Sequence, residues 1–311
     1  MTTESRVIPV LCVADAAYAL GLAVMLKSLE RNLDVGYSVD AYVADAAIPA
    51  GDKRRVEASL SARIRVHWRR TAALPQTLPT WGRMPVTTYQ KLLVGDWALP
   101  EVGRALWLDC DLLILSDLVE LWSLPMGGTC ALAAPDQRVR LAASRFGVAG
   151  HADLGLSPDA KYFNAGVMLI DLQRWRAEEV GRRSLEYLAK YGKRVYFWDQ
   201  EALNAVLAGV WGELDAGWNW HPSRDRLVGS TPAEPRIVHF SGNLKPWTHL
   251  GSGRYHELYY GALDQTAWTG WRPERYWKGR LAGWYETSSL RRVLYPAERW
   301  ATQIRHSLTQ R

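Results

Sequence analysis

Short apolar runs rich in β-forming residues alternate with helical patterns through the first third of the 311-residue chain. The predicted strands and helices, in chain order, are Val7–Ala14, Ala19–Arg31, Tyr37–Val43, Asp52–Leu60, Ile64–Trp68, Thr87–Leu99 and Ala105–Leu108. Strands that alternate with helices in this way form a mainly parallel sheet with helices on both faces. The pattern predicts an α/β fold whose ligands bind where the strands end, at their carboxyl edge.

The remaining chain carries a weaker pattern. The further strands predicted are Cys130–Ala134, Ala165–Ile170 and Arg236–Phe240, and the further helices are a short one capped by Asp117, Leu172–Trp175, Val180–Tyr191 and Gln200–Ala208. Residues 138–161 have little periodicity and are predicted to form a surface excursion. Because no strand pattern follows Trp268, we expect a catalytic domain over residues 1–268 and an appended tail over residues 269–311.

Two aspartates end the strand predicted at Ala105–Leu108. Asp109 and Asp111 are separated by one residue, and alternate residues of a strand point to the same side. Two hard oxygen ligands presented to one spot suit a Mg²⁺ or Mn²⁺ ion that also holds a substrate's phosphates. Asp-x-Asp triplets are common, so a solvated or capping pair of aspartates is the alternative interpretation of this triplet alone.

Composition excludes several classes of protein. Cys12, Cys110 and Cys130 are widely spaced and odd in number, which predicts a reduced, cytosolic protein without a disulfide framework. The longest apolar run contains Asp15 and follows the weakly charged segment MTTESR, so neither a signal peptide nor a membrane-spanning helix is predicted. Sixteen Trp and fourteen Tyr against four Phe are amphipathic aromatics that suit sugar stacking or membrane interfaces.

Six local phrases carry a resemblance to a known family. They are VADAAY (13–18), TTYQKL (87–92), LWLDCDLLI (106–114), YFNAGVMLIDLQRWR (162–176), WDQEALN (198–204) and HFSGNLKPW (239–247). In identity and order they resemble glycosyltransferase family 8, with the greatest likeness to bacterial lipooligosaccharide α-galactosyltransferases and related glucosyltransferases. The resemblance covers residues 7–250 and implies a GT-A fold, a UDP-sugar donor, Mn²⁺ and retention of the anomeric configuration.

The resemblance implies a metal and diphosphate site. Asp109, Asp111 and His239 are its expected metal ligands, and an imidazole nitrogen beside two carboxylates favours Mn²⁺, with Mg²⁺ as the alternative ion. A divalent cation on the two phosphates stabilises the charge that develops on the leaving group. Lys245 is expected to act in catalysis by meeting the diphosphate as a point charge, and Gly242 to let the backbone approach it.

Further donor contacts are expected near the ends of other strands. By resemblance, Tyr18 stacks on uracil and Asp15 hydrogen-bonds its edge, although Asp15 also suits a cap for the helix that follows. The chain departs from its relatives at Ala17, where they often carry Asn, and at Lys91, where they often carry Arg. Lys91 stays on the list of donor contacts because it keeps the charge, while it loses bidentate geometry.

Polar residues near the transferred sugar complete the expected site. Asn164 lies in an apolar setting where a buried amide needs partners. By resemblance, Asp199 binds sugar hydroxyls and Gln200 lies near the β-face of the anomeric carbon, although Asp199 could instead be the N-cap of its helix. Because glutamine is a poor nucleophile, we expect front-face attack with Gln200 stabilising an oxocarbenium-like state. Asp136 is expected to contact the acceptor.

The net positive charge belongs to the C-terminal segment. Residues 271–311 contain nine basic and three acidic side chains, a net charge of +6 that equals the charge of the whole chain. Seven Trp and Tyr residues lie in the same stretch, a composition typical of an interfacial membrane anchor. A solvated helical tail that packs its aromatics on the catalytic domain is the alternative. No nucleic-acid reader motif accompanies the charge, so no nucleic-acid partner is expected.

Together these features predict a cytoplasmic enzyme, peripheral at the inner face of the membrane, that transfers galactose or glucose from its UDP-sugar to a glycan or glycolipid in envelope polysaccharide or lipopolysaccharide synthesis. Three alternatives stay open. A phosphohydrolase normally carries its Asp-x-Asp pair after the first strand, whereas here at least three strands precede it. A self-glucosylating primer protein uses its own Tyr as acceptor, and the chain has fourteen. A non-catalytic sugar-nucleotide-binding module is disfavoured by the intact Asp-x-Asp, His239 and Lys245.

Overall fold

The computed structural model describes residues 6–71, 73–79, 85–222, 235–242, 245–248, 250–251 and 253–273. The predicted tail lies almost wholly outside these residues, so its expected structure and the boundary at residue 268 remain predictions. The described chain packs on the domain as far as Trp268 and Trp271, the first of which is buried.

A mixed sheet of seven strands forms the centre of the molecule. Nine strands are present in the described residues: β1 (Arg6–Asp15), β2 (Tyr37–Ala46), β3 (Ile64–Arg70), β4 (Arg104–Leu108), β5 (Leu112–Ile114), β6 (Ala131–Pro135), β7 (Phe163–Asp171), β8 (Trp211–Glu213) and β9 (Ile237–His239). The order in the large sheet is β3-β2-β1-β4-β7-β6-β8, and β5 pairs with β9 in a separate ribbon. Four neighbouring pairs of the large sheet are parallel, and β7 is antiparallel to β4 and β6. The predicted mainly parallel α/β sheet is confirmed.

Helices cover both faces of this sheet. They are α1 (Ala19–Asn32), α2 (Ala50–Ala58), α3 (Val94–Trp97), α4 (Leu118–Trp122), α5 (Leu172–Ala177), α6 (Val180–Tyr191), α7 (Trp198–Val206) and α8 (Arg254–Leu263). Neighbouring residues of β1 point into different cores: Val10 and Cys12 pack with α1 and α8, while Leu11 packs with α5, α6 and α7. Burial on both faces explains why β1 has a nearly continuous apolar sequence.

Two sequence predictions differ from the structure. The predicted helix Thr87–Leu99 is a 3-10 helix over Val86–Lys91 followed by the short α3. Inside this segment the indole N–H groups of Trp97 and Trp175 donate to the carbonyls of Gln90 and Leu92. The Gln90 carbonyl also accepts the backbone N–H of Leu93 at 3.1 Å, three residues on, as in a 3-10 helix. Residues 138–161 are not confined to the surface, because apolar side chains spaced through the segment are buried in a core, namely Val139, Ala142 and Val148.

Two further observations concern the cysteines and the lengths of the helices. The three cysteines are free and buried. Within the described ranges, no helix has the length and apolar character needed to cross a membrane.

The sheet also brings together residues that are distant in sequence. Asp109 and Asp111 lie in the link between β4 and β5. The antiparallel pairing of β5 with β9 places Leu112 opposite His239. The backbone N–H of Phe240 donates to the carbonyl of Asp111 over 3.0 Å. This register sets His239 beside the aspartates.

Candidate active site

The three predicted metal ligands converge. Their ligand atoms, from Asp109, Asp111 and His239, all lie within 4.8 Å of one another. The Nε2 atom of His239 is 3.3 Å from Oδ1 of Asp111. Two carboxylates and one imidazole nitrogen form a donor set that Mn²⁺ accepts, and Mg²⁺ accepts its oxygen part. The residues present therefore fit a divalent metal site.

Two buried lysines each hold one carboxylate of the Asp-x-Asp pair. Lys245 Nζ forms an ion pair with Oδ2 of Asp111 and donates to the carbonyl of Phe240 over 2.9 Å. Lys91 Nζ lies 3.1 Å from Oδ1 of Asp109 and 2.9 Å from Oδ2 of Asp199. We call Asp109, Asp111, His239, Lys91 and Lys245 the charged cluster.

The charged cluster separates the proton affinities of its two aspartates. Burial alone would raise the pKa of Asp111, but the ammonium group of Lys245 holds that pKa well below the usual range. Burial raises the pKa of Asp109, with Lys91 opposing this effect and Asp111 adding to it. Burial also acts to lower the pKa of Lys91, yet the neighbouring carboxylates raise that pKa overall. Lys91 is therefore a charged bridge from Asp109 to Asp199.

The residues expected to bind the base lie at the end of β1. Oδ1 of Asp15 accepts the backbone N–H groups of Ala17 and Tyr18 at 2.9 and 3.2 Å. Asp15 therefore stabilises the turn before α1, but the N-cap of that helix is Tyr18, so the alternative of Asp15 as the helix cap is wrong. The contact of Asp15 with uracil remains a prediction. The ring centroid of Tyr18 lies 5.3 Å from the ring centroid of Trp247 and 6.0 Å from Lys245 Nζ. The predicted base end thus adjoins the predicted diphosphate loop.

Two glycines permit this arrangement. A Cβ on Gly21 of α1 would come within 2.7 Å of both Trp247 and the carbonyl oxygen of Cys110. Gly242 has a φ of 112°, which a residue with a side chain rarely adopts, and a Cβ there would make ordinary contact with the Arg138 guanidinium at 3.8 Å. Backbone conformation therefore favours glycine at position 242, and the close approach of this backbone to the diphosphate remains a prediction.

Helix α7 delivers Asp199 and Gln200. Its N-cap is Phe197, so the alternative of Asp199 as the N-cap is wrong. The Asp199 carboxylate instead accepts the Thr88 hydroxyl over 3.0 Å and contacts Lys91. Trp198, the first residue of α7, has a φ of 41°, a strained value for a bulky side chain.

A buried carboxylate holds this strained start of α7. Glu201 is fully buried and accepts the backbone N–H groups of Ala149 and Tyr196 at 2.9 and 2.6 Å, as well as the Tyr187 hydroxyl at 2.8 Å. Burial raises the pKa of Glu201. These contacts tie the turn that precedes Asp199 and Gln200 to the loop over residues 138–161.

Asp136 connects several of the predicted sugar-facing groups. Its Oδ1 accepts the backbone N–H groups of Arg138 and Val139, both at 2.7 Å. Its Oδ2 accepts the side-chain amides of Asn164 at 3.0 Å and Gln200 at 3.2 Å. Both oxygens of Asp136 are thus engaged within the protein, and its predicted contact with the acceptor remains a prediction.

Sequence reasoning missed two residues. Asn219 lies in a 3-10 turn over Ala216–Asn219 and accepts from His239 Nδ1 over 2.8 Å. No spacing or motif marks it. Gly166 faces the same ring, and a Cβ there would lie 2.3 Å from His239 Cε1. The phrase YFNAG contains this glycine, and a glycine inside an apolar strand is a signal of close approach. We call Asp136, Asn164, Gln200 and Asn219 the amide network.

Fold and site together define a glycosyltransferase of the GT-A type. A crystal structure of the galactosyltransferase LgtC in complex with donor and acceptor sugar analogues has the same fold, with a TM-score of 0.73. The likeness covers 88% of this chain and 100% of that chain at 24% sequence identity. The family model for glycosyl transferase family 8 matches residues 9–251. The chain belongs to glycosyltransferase family 8, as the sequence phrases indicated, and it is not the phosphohydrolase that the Asp-x-Asp pair left open.

The chain is also similar to proteins with curated descriptions. General stress protein A of Bacillus subtilis is 26% identical over 284 residues, which span 85% of this chain and 96% of that protein. The lipopolysaccharide 1,3-galactosyltransferase of Salmonella typhimurium is 26% identical over 202 residues, 62% of this chain and 59% of the relative. A probable galacturonosyltransferase-like protein of Arabidopsis thaliana is 32% identical over 168 residues, about half of each chain.

Proposed function

We propose that this glycosyltransferase transfers galactose or glucose from a UDP-sugar to a glycan or glycolipid acceptor, with retention of the anomeric configuration. The observation that carries the proposal is the convergence of Asp109, Asp111 and His239 beside Lys245. Such a site suits a sugar donor whose leaving group is a diphosphate. Similarity to a lipopolysaccharide galactosyltransferase supports a cell-envelope acceptor.

Asp109, Asp111 and His239 would hold Mn²⁺, with Mg²⁺ as the alternative ion. When bound, the ion would supply Lewis-acid stabilisation of the diphosphate charge. Lys245 contributes a second positive charge at the same place, because its ammonium group already lies against Asp111. A preorganised cation costs no reorganisation when charge develops on the leaving oxygen.

The sugar would lie between the charged cluster and α7. Asp199 and Asn164 would bind its hydroxyl groups, with Lys91 orienting Asp199 through their 2.9 Å contact. Gln200 would face the anomeric carbon, held there by Asp136 and by the N–H of Ala165, which its Oε1 accepts at 3.2 Å. An amide oxygen stabilises positive charge but is a poor nucleophile, so the acceptor hydroxyl attacks from the face that the diphosphate leaves.

Release of UDP tests this proposal. The full chain is incubated with Mn²⁺ and a panel of UDP-sugars, with and without candidate glycan acceptors. The expected result is UDP release from UDP-galactose or UDP-glucose that EDTA abolishes and an acceptor stimulates. Turnover of none of the UDP-sugars under these conditions would contradict the proposal. A mass increase of the protein itself in steps of one hexose, with UDP-glucose alone, would instead identify a self-glucosylating protein.

We also propose a peripheral contact of residues 271–311 with the inner face of an anionic membrane. The support is the clustered charge and the aromatic residues of that segment, most of which lies outside the described residues. Each basic group near such a surface contributes about 1 kcal/mol. Full-length protein should therefore bind anionic liposomes in a salt-sensitive way, and a chain truncated at about residue 268 should be released. Equal binding of the two chains would contradict this proposal.

A further inference from the structure

The orientation of one amide in the network is fixed by two independent partners. The Asp136 carboxylate accepts two backbone N–H groups through Oδ1, and a carboxylate oxygen can only accept, so Asn164 must present its Nδ2 to Oδ2. The backbone N–H of Gly166 lies 3.0 Å from the other side of the same amide, and only an oxygen can accept there. Oδ1 of Asn164 therefore faces away from Asp136.

The orientation of the Asn164 amide determines the orientation of the Asn219 amide. Oδ1 of Asn164 lies 2.9 Å from Nδ2 of Asn219, which must donate to it. Oδ1 of Asn219 is then the atom 2.8 Å from Nδ1 of His239. Because an amide oxygen can only accept, Nδ1 of His239 carries a proton.

The consequence appears at the other nitrogen of His239. A neutral imidazole protonated at Nδ1 has its lone pair on Nε2, and this atom lies 3.3 Å from Oδ1 of Asp111. A lone pair and a carboxylate oxygen that face each other at this distance are arranged like two ligands of one cation. Asp136, Asn219 and His239 are each less than one-tenth exposed, so water does not replace the hydrogen bonds that set this arrangement.

We infer that Asn219 is a positioning residue, held by Asn164 and Asp136, that keeps His239 protonated at Nδ1 so that Nε2 is the metal ligand. This inference rests on the metal site of the proposed function. The same Asp136 carboxylate also holds Gln200. One buried residue thus orients groups at both ends of the site, the predicted metal ligand and the amide predicted to face the anomeric carbon.

Three variants of the full chain separate the steps of this relay. Asn219→Leu removes the acceptor for Nδ1–H at similar volume. Asn219→Asp keeps that acceptor but cannot donate to Asn164. Asp136→Asn replaces a carboxylate that only accepts with an amide that also donates. It acts on His239 through two intervening amides, those of Asn164 and Asn219. Asn204→Ala is the control, because Asn204 is an equally buried amide, 4% exposed, that bonds to backbone groups of Phe163 and Gln200 and not to His239 or Asn219.

The first measurement is the tautomer of His239 in metal-free protein labelled with ¹⁵N-histidine. Long-range ¹H–¹⁵N correlation spectra are recorded at pH 8.5, where an ordinary imidazole is neutral. The His239 signal among the seven histidines is assigned from its loss in His239→Gln. We expect Nδ1–H in the parent, in Asn219→Asp and in Asn204→Ala. We expect its loss in Asn219→Leu, and a mixture of tautomers in Asp136→Asn.

The second measurement is Mn²⁺ affinity, from free Mn²⁺ by electron paramagnetic resonance. The Kd should rise about 10- to 100-fold in Asn219→Leu, as for other partners of metal-bound histidine, and stay near the parent value in Asn219→Asp and Asn204→Ala. Circular dichroism checks folding of each variant, and the tautomer of Asp136→Asn against that of the parent retains the test if Asn219→Leu does not fold.

Different results separate this inference from the proposed function. Nε2–H in the parent, or an unchanged tautomer and Mn²⁺ Kd in folded Asn219→Leu, would overturn the inference. So would a loss of affinity in Asn204→Ala as large as in Asn219→Leu, and so would an unchanged tautomer in Asp136→Asn. Nδ1–H in a parent protein that binds no Mn²⁺ would contradict the metal site of the proposed function and not the tautomer assignment.

Discussion

The charged cluster and the amide network meet at His239 but are held together by different forces. In the charged cluster, lysines and carboxylates approach within ion-pair distance, and their attraction depends little on orientation. In the amide network each group has one correct direction, set by donors and acceptors 2.8 to 3.2 Å apart. The first region therefore concentrates charge, whereas the second fixes where neutral groups point.

The largest effect is expected from a substitution that removes one ligand charge from the charged cluster. Asp111→Asn should lower Mn²⁺-stimulated UDP release by about a thousandfold or more, since metal stabilisation of a leaving group is worth several kcal/mol. Asp40→Asn is the matched control, because Asp40 pairs with Arg65 on the edge strand at 2.7 Å, away from the site. Near-parent release by Asp111→Asn, or no effect of EDTA on the parent, would contradict the role given to the cluster.

Removal of one amide from the network should have a smaller effect. Gln200→Ala should lower turnover roughly ten- to a thousandfold, as for loss of one oriented polar group, without changing the anomer formed. Gln265→Ala, a change of an exposed amide that bonds only to its own helix region, should transfer sugar at the parent rate. A covalent glycosyl adduct on Gln200 would contradict front-face attack, and an inverted product would contradict retention.

Lys91 joins the two regions and tests what a buried charge contributes to stability. Lys91→Met leaves Asp109 and Asp199 without their shared cation, and loss of one partner from a buried ion pair costs about 3–5 kcal/mol of unfolding free energy. Lys53→Met removes a half-buried surface partner of Asp45 and should cost less than about 1 kcal/mol. Urea denaturation measures both. Equal losses in the two variants would show that Lys91 does not carry the buried bridge.

The smallest effect comes from an exposed pair and serves as a reference for the cluster. Arg272 and a backbone N–H hold the pKa of Asp264 at about 2, against about 3.9 in an unfolded chain. A lowered pKa contributes stability above about pH 4 that is lost as the pH falls through about 2. Asp264→Asn should thus cost less than about 1 kcal/mol at pH 7. The cost, from urea denaturation, should shrink as the pH approaches 2, and a cost independent of pH would contradict this assignment.

How much the sequence predicts differs between the same two regions. Asp109 and Asp111 are one residue apart at the end of a predicted strand, so alternation predicts that their side chains point to the same side. His239 and Lys245 are predicted only through the resemblance, because they lie in the phrase HFSGNLKPW. Asn219 bonds to Asn164 across 55 positions, and a single amide in a tryptophan-rich turn carries no pattern. The direction of a hydrogen bond is a property of the folded chain, so local sequence cannot reveal the network.

Tertiary contacts also decided where local rules failed. The pattern over Thr87–Leu99 suits a continuous helix, yet a 3-10 helix and the short α3 occupy this segment, and the Trp175 indole of α5 donates to its Leu92 carbonyl. Asp199 lies in the first turn of α7 and has the residue type of a cap, yet Phe197 is the N-cap, and Lys91 and Thr88 bind the Asp199 carboxylate. In both places, the segment contacts a partner that is distant in sequence.

The most direct test of this account is Mn²⁺ binding to the parent, Asp111→Asn and Gln200→Ala, measured by electron paramagnetic resonance. The account predicts that the parent and Gln200→Ala each bind one Mn²⁺ with similar Kd, although Gln200→Ala transfers sugar slowly, and that Asp111→Asn loses this binding. A parent that binds no Mn²⁺, or an Asp111→Asn variant that binds it as tightly as the parent does, would contradict the account.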